Sequence, residues 1–281
     1  MDCFGDDSSS DEEEDVLQRD ESCGVCSFHS NTEASLLMHV RNTPNLKGAN
    51  DFLMAVDAFC MSRHWMMHIG PDKGAILKQI LNDAINAKAT TSANFVAVEL
   101  GTYCGYASIL LANEFRHAST SLNCHWYTAE IERSYAAIAK EMIQLSGMDD
   151  VVSVHQITFD GHDTNIVEVI SDALKTKECA EVKPKIDFLF IDHDKDSYKS
   201  DLCKFEAAGL IAKGTRVVAD NVIFAQIQDY IEYVQERQKE GIVQTRTMPC
   251  RVEYCGVDDN ETDDVQKYQD GIEVTDYLQD P

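Results

Sequence analysis

Positive charge is scarce in this chain: 24 lysines and arginines stand against 49 aspartates and glutamates, a formal net charge of −25 at pH 7. A nucleic-acid surface needs a basic patch or stripe, so no nucleic-acid partner is expected. Long apolar runs are lacking too. None approaches the ~18 residues that span a bilayer, and the start has no apolar leader segment, which predicts a soluble protein with no membrane span. The ten cysteines lack the spacing of a disulfide framework, which fits a reducing, cytoplasmic compartment. Cys23, Cys26 and His29 lack the fourth ligand of a structural zinc site and read as incidental.

The negative charge is uneven. Residues 1–21 carry ten acids against Arg19, and residues 258–281 carry nine against Lys267, so 17 of the 25 negative charges lie at the two ends. The first 45 residues also hold few large apolar groups, too few to offset the entropy of ordering a chain. The expected division is an acidic disordered tail over 1–45, a folded domain over 46–257 and an acidic tail over 258–281, the partner of the tails being unknown.

Inside that domain, Phe52, Leu53, Val56, Phe59 and Cys60 recur at helical spacing, as do Ile76, Leu77, Ile80, Leu81 and Ile85 after Pro71. Trp65, Met66 and Met67, between the two helices, read first as ordinary core. From Phe95 strands (95–100, 125–129, 151–154, 186–191, 215–219) alternate with helices (106–115, 135–145, 165–174, 227–238). Two closing strands, about 242–248 and 252–257, read as a hairpin at the edge. The alternation predicts an α/β fold: a doubly wound, mostly parallel seven-stranded sheet with helices on both faces and an antiparallel edge strand.

The stretch I-D-F-L-F-I-D-H-D-K-D-S-Y, 186–198, is a doubly covered strand that ends abruptly in charge. The 215–219 strand ends likewise in Asp220 and Asn221. Ligands bind at the carboxyl ends of strands in open α/β sheets. Asp192, Asp220 and Asn221, with Lys195 beside them, read as an all-oxygen cation site with a base. Singly, such residues more often cap turns or face water; two neighbouring strand ends carrying them together favour function.

The loop E-L-G-T-Y-C-G-Y, 99–106, adds two glycines, Gly101 and Gly105, that let backbone approach a ligand, and Glu130 closes the next strand where an acid can accept ribose hydroxyls. The third glycine of a dinucleotide fingerprint is missing, which argues against a nicotinamide enzyme. Glu99 would repel a pyrophosphate but suits a cationic ligand such as the sulfonium S-adenosylmethionine.

These motifs, with H-W-M-M-H-I-G-P-D-K-G, V-V-A-D-N-V-I and V-E-Y in the same order, resemble the catechol O-methyltransferases of the class I (Rossmann-like) S-adenosylmethionine-dependent methyltransferase superfamily over about residues 45–257. The resemblance implies that Asp192, Asp220 and Asn221 hold Mg2+, that Lys195 is the catalytic base and that Glu253 holds a second substrate hydroxyl. It places Ile69, Glu99, Gly101, Tyr103, Ala107, Glu130, Ile131, Asp160, Asp192 and His193 along the cofactor. Trp65, Met67, Lys195, Asn221 and Glu253 would face substrate. The family's cofactor-binding serine is Ala107 here, so its hydrogen bond to the cofactor is either missing or passed to Ser108. Bulky Phe159 lies in the adenine-side loop, and Asp194 and the residues around Phe224 and Ala225 also depart from the pattern.

A phenol with a pKa near ~10 is poorly nucleophilic at neutral pH. Chelation of two adjacent hydroxyls would acidify one of them, and a lysine could then take its proton. The expected activity is magnesium-dependent methyl transfer from S-adenosylmethionine to a catechol-like small molecule. Two alternatives stand beside it: a larger ortho-dihydroxy ester such as a caffeoyl thioester as substrate, or a binding protein of this fold without turnover.

Overall fold

The computed structural model describes residues 31–62, 65–89, 94–118, 122–175, 185–254 and 268–281. Cys23, Cys26 and His29 lie outside them. Among the described residues three helices, α1 (Thr32–Asn42), α2 (Ala49–Ser62) and α3 (Gly70–Ala89), precede the first strand. Then come β1 (Asn94–Leu100), α4 (Tyr106–Ala118), β2 (Asn123–Glu130), α5 (Arg133–Leu145), β3 (Val152–Gln156), α6 (Ile166–Lys175) and β4 (Phe188–Ile191). The chain closes with α7 (Tyr198–Ala207), β5 (Arg216–Ala219), α8 (Gln228–Lys239), β6 (Val243–Arg251) and β7 (Gln269–Tyr277).

The sheet order is β3-β2-β1-β4-β5-β7-β6. The first five strands in that order are mutually parallel, and β7 pairs antiparallel with both β5 and β6. The expected mixed, mostly parallel sheet is therefore present, with its antiparallel pairing at the β6 edge. Strand side chains divide the core by the two-residue period. Phe95 and Ala97 of β1 and Phe188 and Phe190 of β4 join α1 to α5 on one face. Val96, Val98, Leu189 and Ile191 join α6, α7 and α8 on the other. Being covered on both faces explains why these strands read as continuous apolar runs. No described helix is long and apolar enough to cross a membrane.

The chain runs outward from β1 to β3, then crosses back to β4, so the topological switch lies between β1 and β4. At this point Gly101 has φ +96°, and a Cβ there would sit 2.2 Å from the Asp192 carbonyl oxygen. Only glycine lets the two strand ends close that tightly.

Two parts of the expected division are corrected. Of the segment 258–281, expected to be a tail, 258–267 lie outside the described residues, but Gln269–Tyr277 form β7, an inner strand with Ile272 and Val274 fully buried. The acids that suggested a solvated end are partnered, Asp270 with Lys73, Glu273 with the Thr245 and Thr247 hydroxyls, and Asp276 with Arg216 and Arg246. The strand expected over 252–257 is instead a turn at Glu253 and Tyr254, the latter with φ 58°, and 255–257 lie outside the described residues.

At the other end, α1 lies inside the segment expected to be disordered. Leu36 and Val40 are buried in the core, Arg41 pairs with Glu141 (2.5 Å), and Glu33 accepts the Tyr103 hydroxyl (2.7 Å). Leu36, Leu37 and Val40 on one face of α1 suffice, because tertiary packing rather than composition stabilises a short helix. Removing Leu36 should leave a cavity, so Leu36→Ala is expected to cost about 2–5 kcal/mol and lower the melting temperature measurably in a calorimetric scan. An unchanged melting temperature would show that α1 does not pack.

Candidate active site

The carboxyl ends of β1, β4 and β5 open into one cleft of about 1110 Å³. The Asp192 amide donates to Leu100 of β1 (2.8 Å) and the Asp220 amide to Ile191 of β4 (3.0 Å), so both aspartates extend the parallel register by one residue. Since Ile191 pairs with Ala219, they stand side by side at the strand ends. Asn221 follows in the left-handed region, φ 59°, which asparagine tolerates better than most residues. Lys195, in a short 3₁₀ turn before α7, donates to Asp192 Oδ1 (2.7 Å) and the Tyr198 hydroxyl (2.8 Å).

Two residues not singled out from the sequence complete this end. The Lys73 ammonium is buried between Asp220 Oδ1 and Asp270 Oδ2, 2.8 Å from each. Burial opposes the charge, but the two carboxylates outweigh it and hold the lysine above its usual pKa. Burial also raises Asp220, to about 6, against the pull of Lys73, whereas Lys73 keeps Asp270 below its ordinary value despite burial. Asn221 Nδ2 donates to Asp270 Oδ2 (2.8 Å), which leaves Asn221 Oδ1 as its free acceptor. Lys73 was visible within P-D-K-G; Asp270 carried no signal, hidden by the acid-rich composition around it. Among the described residues no group of three or more His, Cys, Asp and Glu could hold a metal. Asp192, Asp220 and Asn221, two carboxylates and one amide, form an all-oxygen set of a different kind, which fits a hard divalent cation that fills the rest of its shell with other oxygen ligands.

Toward β2, the carboxylate of Glu130 accepts the backbone amides of Tyr103 and Glu132 (2.8 Å each), and Gly101, Tyr103, Glu130 and Ile131 all line the cleft. Glu99 is more committed than the sequence suggested. Its Oε2 accepts from the Ser108 hydroxyl and from Trp126 Nε1 (2.8 Å), and burial pushes its carboxyl up to about 7. Ser108 is therefore turned inward to Glu99, and Ala107 presents only a methyl to the cleft. His193 Nε2 donates to the Asp201 carboxylate (2.8 Å) and the ring stacks on Tyr198; His193 and Ile69 both line the cleft. Asp160 is not brought to the cleft: its Oδ1 accepts the amides of His162 and Asp163, and Phe159 and Asp163 line the wall there instead.

At the substrate end, Glu253 Oε1 accepts the Lys73 amide (2.6 Å) in the first turn of α3, while its backbone carbonyl accepts Trp65 Nε1 (3.0 Å). Burial raises the Glu253 carboxyl. Met66 is core, but Trp65 and Met67 line the cleft, Met67 being 44% exposed. Phe224 lines the cleft as well.

Comparison with known proteins gives the family and the fold. Catechol O-methyltransferase of Bos taurus is 31% identical over 206 residues, covering 73% of this chain and 67% of the bovine protein. Catechol O-methyltransferase B of Danio rerio is 32% identical over 202 residues, covering 71% and 67%. Among solved structures, the O-methyltransferase of Bacillus cereus in complex with SAH aligns with a TM-score of 0.53 at 19% identity, covering 87% of this chain and 97% of that one. The O-methyltransferase TomG of Streptomyces achromogenes in complex with SAM gives 0.52 at 18% identity, covering 87% and 96%. At those identities the two structures speak for the fold alone. A family model described as O-methyltransferase matches residues 51–247, most of the folded chain, and the protein belongs to that family.

Proposed function

We propose that the protein transfers the methyl group of S-adenosylmethionine to one hydroxyl of a catechol-type small molecule, with Mg2+ bound by Asp192, Asp220 and Asn221. The observation that carries this reading is the side-by-side delivery of those three oxygen donors and Lys195 by two adjacent parallel strands. The names of the bovine and zebrafish relatives support the substrate class. A magnesium ion supplies Lewis acidity that lowers the pKa of a neighbouring hydroxyl.

The chain's own groups do the rest. Glu130, at the end of β2, accepts ribose hydroxyls. Lys195, tethered by Asp192 and Tyr198, stands where it can take the phenolic proton. Glu253 holds the second hydroxyl with the oxygen not used on α3. Trp65, Met67 and Phe224 give the aromatic ring an apolar cradle, and holding oxygen and methyl close and aligned supplies much of the acceleration. The five described cysteines are all free, which suits a reducing cytoplasm.

The test is methyl transfer to a panel of catechols with and without chelator. Activity is expected to vanish in excess chelator and to return with magnesium; full turnover in chelator would remove the metal from the reaction. Lys195→Ala should lower kcat by roughly 100-fold to 10,000-fold with little change in cofactor affinity. The loss should shrink on nitrocatechol, whose hydroxyls are already acidic. Equal losses on both substrates would recast Lys195 as a positioning charge.

A pH dependence follows from Glu99. Its carboxyl, raised to about 7 by burial, becomes mostly ionised as pH rises through that value, and the ionised form favours a cationic sulfonium. The affinity for S-adenosylmethionine relative to neutral S-adenosylhomocysteine should therefore rise as pH increases through about 7 and fall away below it. Glu99→Gln should flatten that ratio in titration calorimetry. A flat ratio in the unaltered protein would take Glu99 out of cation recognition.

A further inference from the structure

Among the described residues that line the cleft, His68, Tyr106, Thr164 and His193 each carry a buried polar atom without a partner, and the one on His68 belongs to a ring stacked against Tyr106 at the start of α4. His68, in the segment joining α2 to α3, is 7% exposed and lines the cleft, yet its Nε2 has no hydrogen bond. Its other ring nitrogen, Nδ1, lies 3.6 Å from Cys60 Sγ on α2. The ring is held firmly, stacked on Tyr106 (5.2 Å between centroids, 13° between planes) and tilted against Tyr103 (5.4 Å).

The proton can be placed from the surroundings. Burial lowers His68 to about 3, so the ring is neutral, and burial raises the Cys60 thiol to about 12, so the sulfur keeps its hydrogen. Sulfur is a poor acceptor and imidazole nitrogen a good one, so the thiol donates to Nδ1 and the ring proton sits on Nε2. A buried donor left unpaired is unfavourable, and such groups in native proteins call for an explanation. A ligand acceptor would supply one.

The neighbourhood says which acceptor. Tyr106, on which His68 stacks, is the first residue of α4, a 13-residue helix whose opening amides have no partner within the helix and carry the positive end of its dipole. That is a seat for an anion. The side chains beside it offer little else: Ala107 has only a methyl, and the Ser108 hydroxyl is committed to Glu99. Glu130 ends β2 and Asp192 follows β4, the two neighbours of β1 in the sheet, so the α4 terminus, which follows β1, lies between them and is left for the part of the cofactor that is neither nucleoside nor reacting methyl.

We infer that His68 is a cofactor-binding residue whose Nε2–H donates to the carboxylate of the amino-acid end of S-adenosylmethionine, beside the N-terminus of α4. The inference rests on the proposed methyl donor and adds to it a side-chain donor at a position where Ala107 supplies none.

Titration calorimetry of the full chain with S-adenosylhomocysteine and with its analogue lacking the carboxyl group tests this. His68→Phe keeps the stacked ring and removes the donor. It should weaken S-adenosylhomocysteine by roughly 10-fold to 100-fold, the range for a hydrogen bond to a charged group, and leave the decarboxylated analogue within about 2-fold. Ala107→Ser in that background should restore part of the affinity. Unchanged affinity, or equal losses for both ligands, would overturn the assignment while leaving the methyl donor in place. Unaltered protein that binds neither ligand would end both readings. Should His68→Phe fail to fold, nitrogen-detected NMR of the unaltered protein decides: the Nε2 proton should move downfield with S-adenosylhomocysteine and not with the decarboxylated analogue, and no movement with either refutes the contact.

Discussion

The buried ammonium of Lys73 is the contact on which the cleft floor depends. It ties α3 to β5 through Asp220 and to β7 through Asp270, three elements far apart in sequence. Removing one partner of such a buried pair typically costs about 3–5 kcal/mol, because a charge is left without compensation. Its second effect is geometric. With Asp270 held by Lys73, Asn221 must give its Nδ2 to Asp270, and the amide oxygen is thereby aimed away from that bond. The ligand set is thus oriented by a lysine that need not touch a ligand, and β7 takes part in the site although its sequence reads as a polar end.

The carboxylates of the cleft differ in function because their surroundings differ. Asp270 and Asp220 share Lys73, Asp192 holds Lys195, and Glu253 caps α3 with one oxygen. Glu130 is fixed by backbone amides and faces the cleft, whereas Glu99 is spent on Ser108 and Trp126. Identical side chains at the ends of β1 and β2 are thereby set to different tasks, the Glu99 carboxyl by burial and the Glu130 carboxylate by hydrogen bonding. Chain position suggests different tasks for the two, but the commitment of Glu99 to Ser108 and Trp126 is visible only in the fold.

What the sequence made legible was periodic or punctuated. The alternation from Phe95 onward gave five parallel strands within a few residues of their observed bounds, because doubly buried strands must be continuously apolar. Gly101 was readable because no other residue could approach the Asp192 carbonyl so closely. What failed was inference from composition. Charge density predicted tails at both ends, yet charge is compatible with a buried strand wherever each acid has a partner across the sheet, as Asp276 has in Arg216 and Arg246. Partners brought in from distant segments leave no trace in a local window. For the same reason Asp270 went unseen, and Asp160 was given a cofactor contact although its carboxylate closes its own turn.

On the proposed function, the placement of negative charge bears on turnover as well as on recognition. The methyl donor enters as a cation and leaves neutral, so each carboxylate near the sulfonium attracts reactant more than product. Attraction of the reactant alone would deepen the ground state and slow the chemical step, since only interactions stronger in the transition state accelerate it. Two features temper that cost. Glu99 shares its charge with two buried donors, and burial keeps it partly protonated near neutrality, so its pull on the cation is moderate. Lys73 and Lys195 offset the aspartates at the other end, leaving the strand termini close to balanced until a cation arrives. The arrangement favours entry of a charged donor and release of its neutral product without binding the donor so tightly that transfer is slowed.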